Sequence, residues 1–141
     1  MIHVAGEYDG FANSDELGPI LLLHGAFTNG ISWFDVTPPA RPNQSLIERL
    51  FFEGYDVYIA DRRGTMYSRG HNTLDADLDA SDYWNFDINT IAEFDIPALV
   101  TSILQRRTDS NKWCSQVSIL THSLSGQEAS ITAAMFPTST F

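Results

Sequence analysis

The chain has 141 residues, the length of one ordinary domain, with 8 Lys plus Arg against 18 Asp plus Glu and a formal net charge of −10. That balance excludes the basic stripe of a nucleic-acid binder and a polybasic membrane-surface patch. A hydrophobic fraction of 43% with 12% aromatics excludes a disordered chain. No apolar run reaches the roughly 18 residues of a membrane span, and the opening Met1-Ile2-His3-Val4-Ala5-Gly6-Glu7 has neither the basic nor the apolar region of a signal peptide. One cysteine, Cys114, excludes an internal disulfide and a Cys-rich zinc site, and leaves the redox compartment open.

In chain order, residues 2–8 suggest an extra strand. Residues 19–24 (Pro-Ile-Leu-Leu-Leu-His) form a short continuous apolar run, as in a strand buried on both faces. Asn43 caps a predicted helix over 44–53, with Leu46, Ile47, Leu50 and Phe51 at helical spacing. A second strand follows Gly54 over 55–60. Residues 88–107 carry a helical stripe of Ile91, Phe94, Leu99, Ile103 and Leu104. Asp95-Ile96-Pro97 should divide it into a short helix, a break and a new helix with Pro97 in its first turn. A third strand at 116–121 runs into a last helix over 124–136. The alternation predicts an α/β fold: a parallel sheet, its first strand between the other two, with crossover helices on both faces. The loops 26–42 and 62–85 are long enough to be functional or lid-like.

The sharpest chemical feature is Leu120-Thr121-His122-Ser123-Leu124-Ser125-Gly126, where a strand turns directly into a helix. That is the setting of a nucleophile elbow, Gly-x-Ser-x-Gly, whose tight turn lifts the serine above the sheet. Thr121 and Ser125 stand where the motif has glycines. Ser125 makes a poorer nucleophile, since bulky Gln127 would stand two residues after it. Ser123 would also cap the last helix, a role compatible with an elbow.

His24-Gly25-Ala26-Phe27 closes the first strand. An oxyanion hole takes one backbone N–H from the residue after the nucleophile and one from the loop after this earlier strand, which designates Leu124 and Ala26. Each such donor is worth roughly 2.7–4 kcal/mol of transition-state stabilisation. The Ser123 hydroxyl is therefore expected within a few ångströms of both, on a strained backbone. After the second strand, Asp61-Arg62-Arg63-Gly64 reads as a surface turn in which Arg62 is solvated. Arg63 and Gly64 organise the loop beneath the site.

The order His24-Gly25, then Arg63-Gly64, then His122-Ser123 resembles the α/β-hydrolase fold. Glu53-Gly54-Tyr55-Asp56-Val57-Tyr58 followed by Arg63-Gly64-Thr65, and Tyr83-Trp84-Asn85-Phe86-Asp87 running into Ile91-Ala92-Glu93-Phe94-Asp95-Ile96-Pro97-Ala98, resemble more narrowly the acid lipase family of gastric, lysosomal and sterol-ester lipases. The likeness covers residues 20–136 and corresponds to the N-terminal half of such a lipase. It places Ser123 at the nucleophile and Ala26 and Leu124 at the oxyanion positions. Leu124 replaces the family's usual Gln, a mild change because the backbone does the work. Thr121 is the more serious departure, since a β-branched residue crowds the elbow. The resemblance implies neutral lipid esters, acylglycerols or sterol esters, as substrates, a secreted or lysosomal setting, and no metal or organic cofactor. A nucleic-acid partner and a membrane span are not expected, and the oligomeric state is open.

The fold orders its triad Ser, then Asp or Glu, then His. Only eighteen residues follow Ser123, with no His and no Asp among them. Glu128 should point away from the site. His122 should face away from the serine, His24 is held in its turn, His71 is solvated in a polar loop, and His3 sits near a ragged terminus. A serine without a base is a weak nucleophile. The expectation is a single domain over 1–141 lacking its C-terminal half, with an unfinished sheet, low solubility and no turnover. The competing readings are a non-catalytic lipase-like protein that binds lipid or a partner, and another α/β-hydrolase chemistry such as a peptidase or thioesterase. The acidic run 75–82 fails the EF-hand pattern, with Ala80 and Phe86 where Gly and Glu are needed, and reads as a solvated loop. Asn43-Gln44-Ser45 is a glycosylation sequon, meaningful in a secreted protein.

Overall fold

The computed structural model describes residues 1–5, 7–8, 11–12, 16–25, 27–35, 45–112, 114–121 and 124–135. Its elements are β1 (Ile2–Val4), β2 (Glu7–Tyr8), β3 (Phe11–Ala12), β4 (Pro19–Leu23), a 3-10 turn (Gly30–Asp35), α1 (Leu46–Glu53), β5 (Asp56–Ala60), α2 (Ala80–Tyr83), α3 (Ile88–Thr90), a π turn (Ile91–Asp95), α4 (Ile96–Asp109), β6 (Ser118–Thr121) and α5 (Leu124–Met135). β1, β5, β4 and β6 form one sheet in that order. β4 lies parallel to both β5 and β6, so the strand expected in the middle is there. β1 adds an antiparallel edge, pairing His3 with Tyr58. The strand expected over 2–8 is thus shorter, and Glu7–Tyr8 pairs instead with Phe11–Ala12 in a separate hairpin.

Period-two alternation along β4 divides the core. Leu21 and Leu23 pack with Ile96, Val100 and Ile103 of α4, while Ile20 and Leu22 pack with Ile47 of α1 and Trp33 of the 3-10 turn. Helices on both faces explain why all five residues of β4, and all five of β5, are buried. The opposite faces follow from chain direction. The chain steps from β4 to β5 one way and back across β4 to reach β6, so two right-handed crossovers must use opposite sides.

Two helix boundaries differ from expectation. The cap of α1 is Ser45, not Asn43, which lies outside the described residues. The Ser45 hydroxyl accepts the Glu48 N–H at 3.2 Å, and the Glu48 carboxylate accepts the Ser45 N–H at 2.7 Å. This reciprocal capping box is a stronger start signal than a lone Asn. The break expected at Asp95-Ile96-Pro97 is a π turn within a continuous helix: the Ile96 N–H reaches back five residues to the Ile91 carbonyl. Pro97 has no N–H and its ring would clash with a tight turn, and the wider turn relieves both. The extra residue rotates the stripe, which leaves Ile91 buried and Phe94 exposed.

Candidate active site

Leu23, the last residue of β4, is in register with Ala60, the last of β5, and with Thr121, the last of β6. Three loops therefore leave the sheet at one level on its carboxyl edge, where α/β folds place their ligands. Residues 24–25 come from β4, 61–63 from β5, and the link to α5 from β6. Only two residues separate Thr121 from Leu124, the first residue of α5. Those two, His122 and Ser123, lie outside the described residues, as does Ala26. Thr121 is half-buried, and Leu124 is the first residue of α5.

Three donors converge on the Gly25 carbonyl at this edge. It accepts from His24 Nδ1 at 2.8 Å, from the Thr28 hydroxyl at 3.0 Å and from Arg62 Nη2 at 3.0 Å. His24 is fully buried, and its Nε2 accepts the Arg62 N–H at 3.3 Å. Those contacts set the neutral tautomer with the proton on Nδ1. Asp61 lies 3.7 Å from His24 Nε2 and accepts the Gly30 N–H at 2.9 Å. Both imidazole nitrogens are committed to the backbone, so His24 knits β4 to β5 and is not positioned as a base. Arg62 departs from the sequence reading: it is a clamp on Gly25 rather than a solvated surface charge, because the parallel register brings the two strand ends together.

Arg63 does organise the loop. Its guanidinium grips the Asp95 carboxylate of the π turn, with Nε 2.9 Å from each carboxylate oxygen, and lies 5.5 Å over the Phe86 ring. The Asp95 carboxylate pushes the Arg63 guanidinium still further toward its charged form. Gly64 has φ of 78°, and a Cβ there would stand 2.5 Å from the Trp84 ring. Trp84 in turn donates to the Ala76 carbonyl at 3.0 Å. Together these contacts shape a cavity of about 520 Å³ bordered by Asp61, Arg63, His71 and Asp95.

The remaining histidines divide. His71 is exposed, as expected, and its Nδ1 accepts the N–H groups of Thr73 and Leu74. His3 does not sit at a ragged end. It stacks on Tyr58 at 4.5 Å and bonds Asp56 at 2.7 Å, at the amino end of β5, far along the strand from the carboxyl edge. Arg107 Nη1 donates to the same buried Asp56 at 2.6 Å, and the Tyr58 hydroxyl at 3.0 Å. Burial alone would push the Asp56 carboxyl up, but hydrogen bonds from Arg107, His3 and Tyr58 outweigh it and hold the group below the usual carboxylate range. Burial and the Asp56 charge push the Tyr58 phenol up. The run 75–82 is exposed apart from Ala76, and the Asp75 carboxylate closes its own turn by accepting the N–H groups of Asp77 and Leu78. The sequon residue Asn43 and the side chain of Glu128 lie outside the described set. Among the described residues no three His, Cys, Asp or Glu side chains cluster as a metal site, and no helix is long and apolar enough to cross a membrane.

Sequence reasoning passed over the Arg62 clamp on Gly25 and the pairing of Asp95 with Arg63. Asp95 was visible as a carboxylate five residues into an apolar helical stripe, a placement that demands a cationic partner.

No family model matches the chain. It is similar to lipase member M of Mus musculus, 37% identical over 87 residues, which are 62% of this chain and 19% of that protein. It is 36% identical over 87 residues to lipase 1 of Drosophila melanogaster, 62% of this chain and 18% of the relative. It is 34% identical over 100 residues to the human lysosomal acid lipase/cholesteryl ester hydrolase, 69% of this chain and 24% of the relative. The chain thus matches between about a fifth and a quarter of the length of these curated relatives. With these relatives, and with β4, β5 and β6 parallel within a mixed sheet, the chain belongs to the acid lipase family of the α/β-hydrolase superfamily.

Proposed function

We propose that the chain carries the nucleophile half of a serine-dependent carboxylic ester hydrolase acting on neutral lipids, acylglycerols or sterol esters. Ser123 attacks the acyl carbonyl, and the N–H groups of Ala26 and Leu124 hold the oxyanion. The observation that carries this reading is the triple clamp on the Gly25 carbonyl. It braces the strand-end turn from which this reading draws an oxyanion donor, and a donor held in advance costs no reorganisation as charge develops on the substrate. The level register of β4 and β6 supports bringing that turn and the start of α5 to one side of the sheet. The names of the relatives support ester substrates of the lipid type.

The attacking serine needs a base, and neither His24 nor His3 is placed to serve. The triad Asp and His would belong to a longer parent chain. Reaction of the longer parent chain, which would supply the triad Asp and His, with a fluorophosphonate probe tests the proposal. Labelling that Ser123→Ala abolishes supports it. A well-folded protein that takes no label is a non-catalytic lipase-like binder, the reading that Thr121 and Ser125 in place of glycines would favour.

A further inference from the structure

At the amino edge of the sheet, opposite the candidate active site, α4 ends beside the start of β5 around a cavity of about 240 Å³. The chain has a net charge of −10 and only 8 Lys plus Arg. Three of those eight, Arg106, Arg107 and Lys112, line this one cavity, and His3 of β1 lines it with them. Charge of one sign gathered in a concave site focuses counter-ions there. Here it does so on a protein whose overall field repels anions.

The two carboxylates of the lining are already committed. Asp56 is buried and accepts from His3, Tyr58 and Arg107. Asp109 is exposed and accepts the Gln105 amide of its own helix at 2.8 Å. The arginines keep donors to spare. Arg107 is 7% exposed, and among the described residues only its Nη1 finds an acceptor. Its Nε is buried with none, and a buried donor left unsatisfied calls for an explanation. Arg106 is exposed at the mouth and makes no ion pair or side-chain hydrogen bond among the described residues. The hydroxyl of Ser110, on the same lining, is likewise unbonded among them. Basic residues in a last turn commonly answer the terminal carbonyls of a helix. In α4 the main chain does that: Ser110 N–H donates to the carbonyls of Arg106 and Arg107, Asn111 N–H to that of Thr108, and Lys112 N–H to that of Arg107 at 2.8 Å.

We propose that this cavity binds a phosphoryl group, held by Arg106, Arg107, Lys112 and the Ser110 hydroxyl. Its volume falls below the roughly 300–1,000 Å³ of sites for drug-sized ligands and suits a compact oxyanion. Guanidinium donors form a fixed fork that matches phosphate oxygens two at a time, and a neighbouring ammonium adds a point charge. The site owes nothing to Ser123, so it stands or falls apart from the hydrolase reading.

Titration calorimetry of the full chain with inorganic phosphate, at neutral pH and constant ionic strength, tests it. The wild type should bind with a Kd of about 1 mM or tighter. The double variant Arg106→Gln with Lys112→Gln should bind at least about tenfold more weakly, since two charged donors are lost. Its thermal unfolding without phosphate should match the wild type, because both side chains are exposed. Ser110→Ala should weaken binding by a smaller factor. Arg49→Gln removes the same charge from α1, outside the cavity, and should leave the affinity unchanged. A wild type that binds no phosphate overturns the proposal. So does a double variant that binds it as well, or an Arg49→Gln protein that loses as much affinity as the double variant. Vesicles of phosphatidylcholine with and without phosphatidic acid separate the two sources of such a group. Cosedimentation that requires phosphatidic acid and is displaced by free phosphate assigns a lipid headgroup, and its absence assigns a soluble phosphate.

Discussion

The hydroxyl of Thr132, on α5, donates to the main-chain carbonyl of Ala92, in the π turn, at 2.7 Å, and both residues are fully buried. In a π turn the Ala92 carbonyl would take its hydrogen bond from the residue five positions on. That residue is Pro97, which has no N–H. The carbonyl orphaned by Pro97 is satisfied by the helix that follows the candidate nucleophile. The turn that supplies Asp95 to Arg63 is thereby bolted to α5.

Thr132→Val keeps the shape of the side chain and removes the donor. It should cost about 1–3 kcal/mol, the penalty of a buried unsatisfied carbonyl, measured by urea unfolding. Thr132→Ser should retain most of the stability. In a Pro97→Ala background the main chain regains an N–H, so the Thr132→Val penalty should shrink. A penalty unchanged by Pro97→Ala would show that Thr132 contributes packing alone.

Breaking the Asp56 cluster should be more damaging. Asp56→Ala leaves Arg107 buried without its carboxylate partner, a change that costs about 3–5 kcal/mol for buried pairs. Because the folded-state carboxyl is held below its ordinary value, the unfolded chain binds the proton more readily. The contribution is fully present above the ordinary carboxylate range and is lost as pH falls through that range and below it. Between pH 7 and pH 3 the wild type should lose more thermal stability than Asp56→Asn. Parallel losses in the two would rule this cluster out as the source of acid sensitivity.

Gly64→Ala should destabilise the loop after β5 on two counts. The new residue would adopt φ of 78°, and its Cβ would press on the Trp84 ring. The expected cost is about 1–3 kcal/mol, with tryptophan emission shifted to longer wavelength as Trp84 is displaced. An unchanged spectrum and melting temperature would mean the loop has room that the geometry denies.

Arg62→Met tests the clamp on Gly25. The guanidinium lies partly buried, and a charged donor to a carbonyl is worth about 1.5–3 kcal/mol. On the hydrolase reading, fluorophosphonate labelling at Ser123 in the longer parent chain should slow about tenfold or more, with a smaller effect on unfolding. Labelling at the wild-type rate would show that His24 and Thr28 suffice to hold the turn.

Much of the scaffold is readable in the chain itself, for reasons visible in particular residues. Pro19-Ile20-Leu21-Leu22-Leu23 has no polar face, so it had to be covered on both sides, and α1 and α4 cover it. Asn43 misled because a lone capping residue is a weaker start signal than the Ser45–Glu48 pair two residues on. Phe94 misled because a π turn adds a residue to the helical period, and the cause, Pro97 acting through Ala92, is a tertiary matter that spacing does not reveal.

The residue types and their order along the chain determined the family resemblance, the strand order and the identity of the serine at a strand-to-helix junction, because apolar periodicity and local turn chemistry act over a few neighbouring residues. Only the tertiary structure decided that Arg62 grips Gly25, that His3 serves Asp56 at the amino end of β5, and that Phe27, Met66 and Trp84 share one groove. Each of those relations joins residues distant in the chain, Arg62 and Gly25 by 37 positions, His3 and Asp56 by 53, Phe27 and Trp84 by 57. Their partners are chosen by parallel register and by the faces that two crossovers cover, which are properties of the assembled sheet.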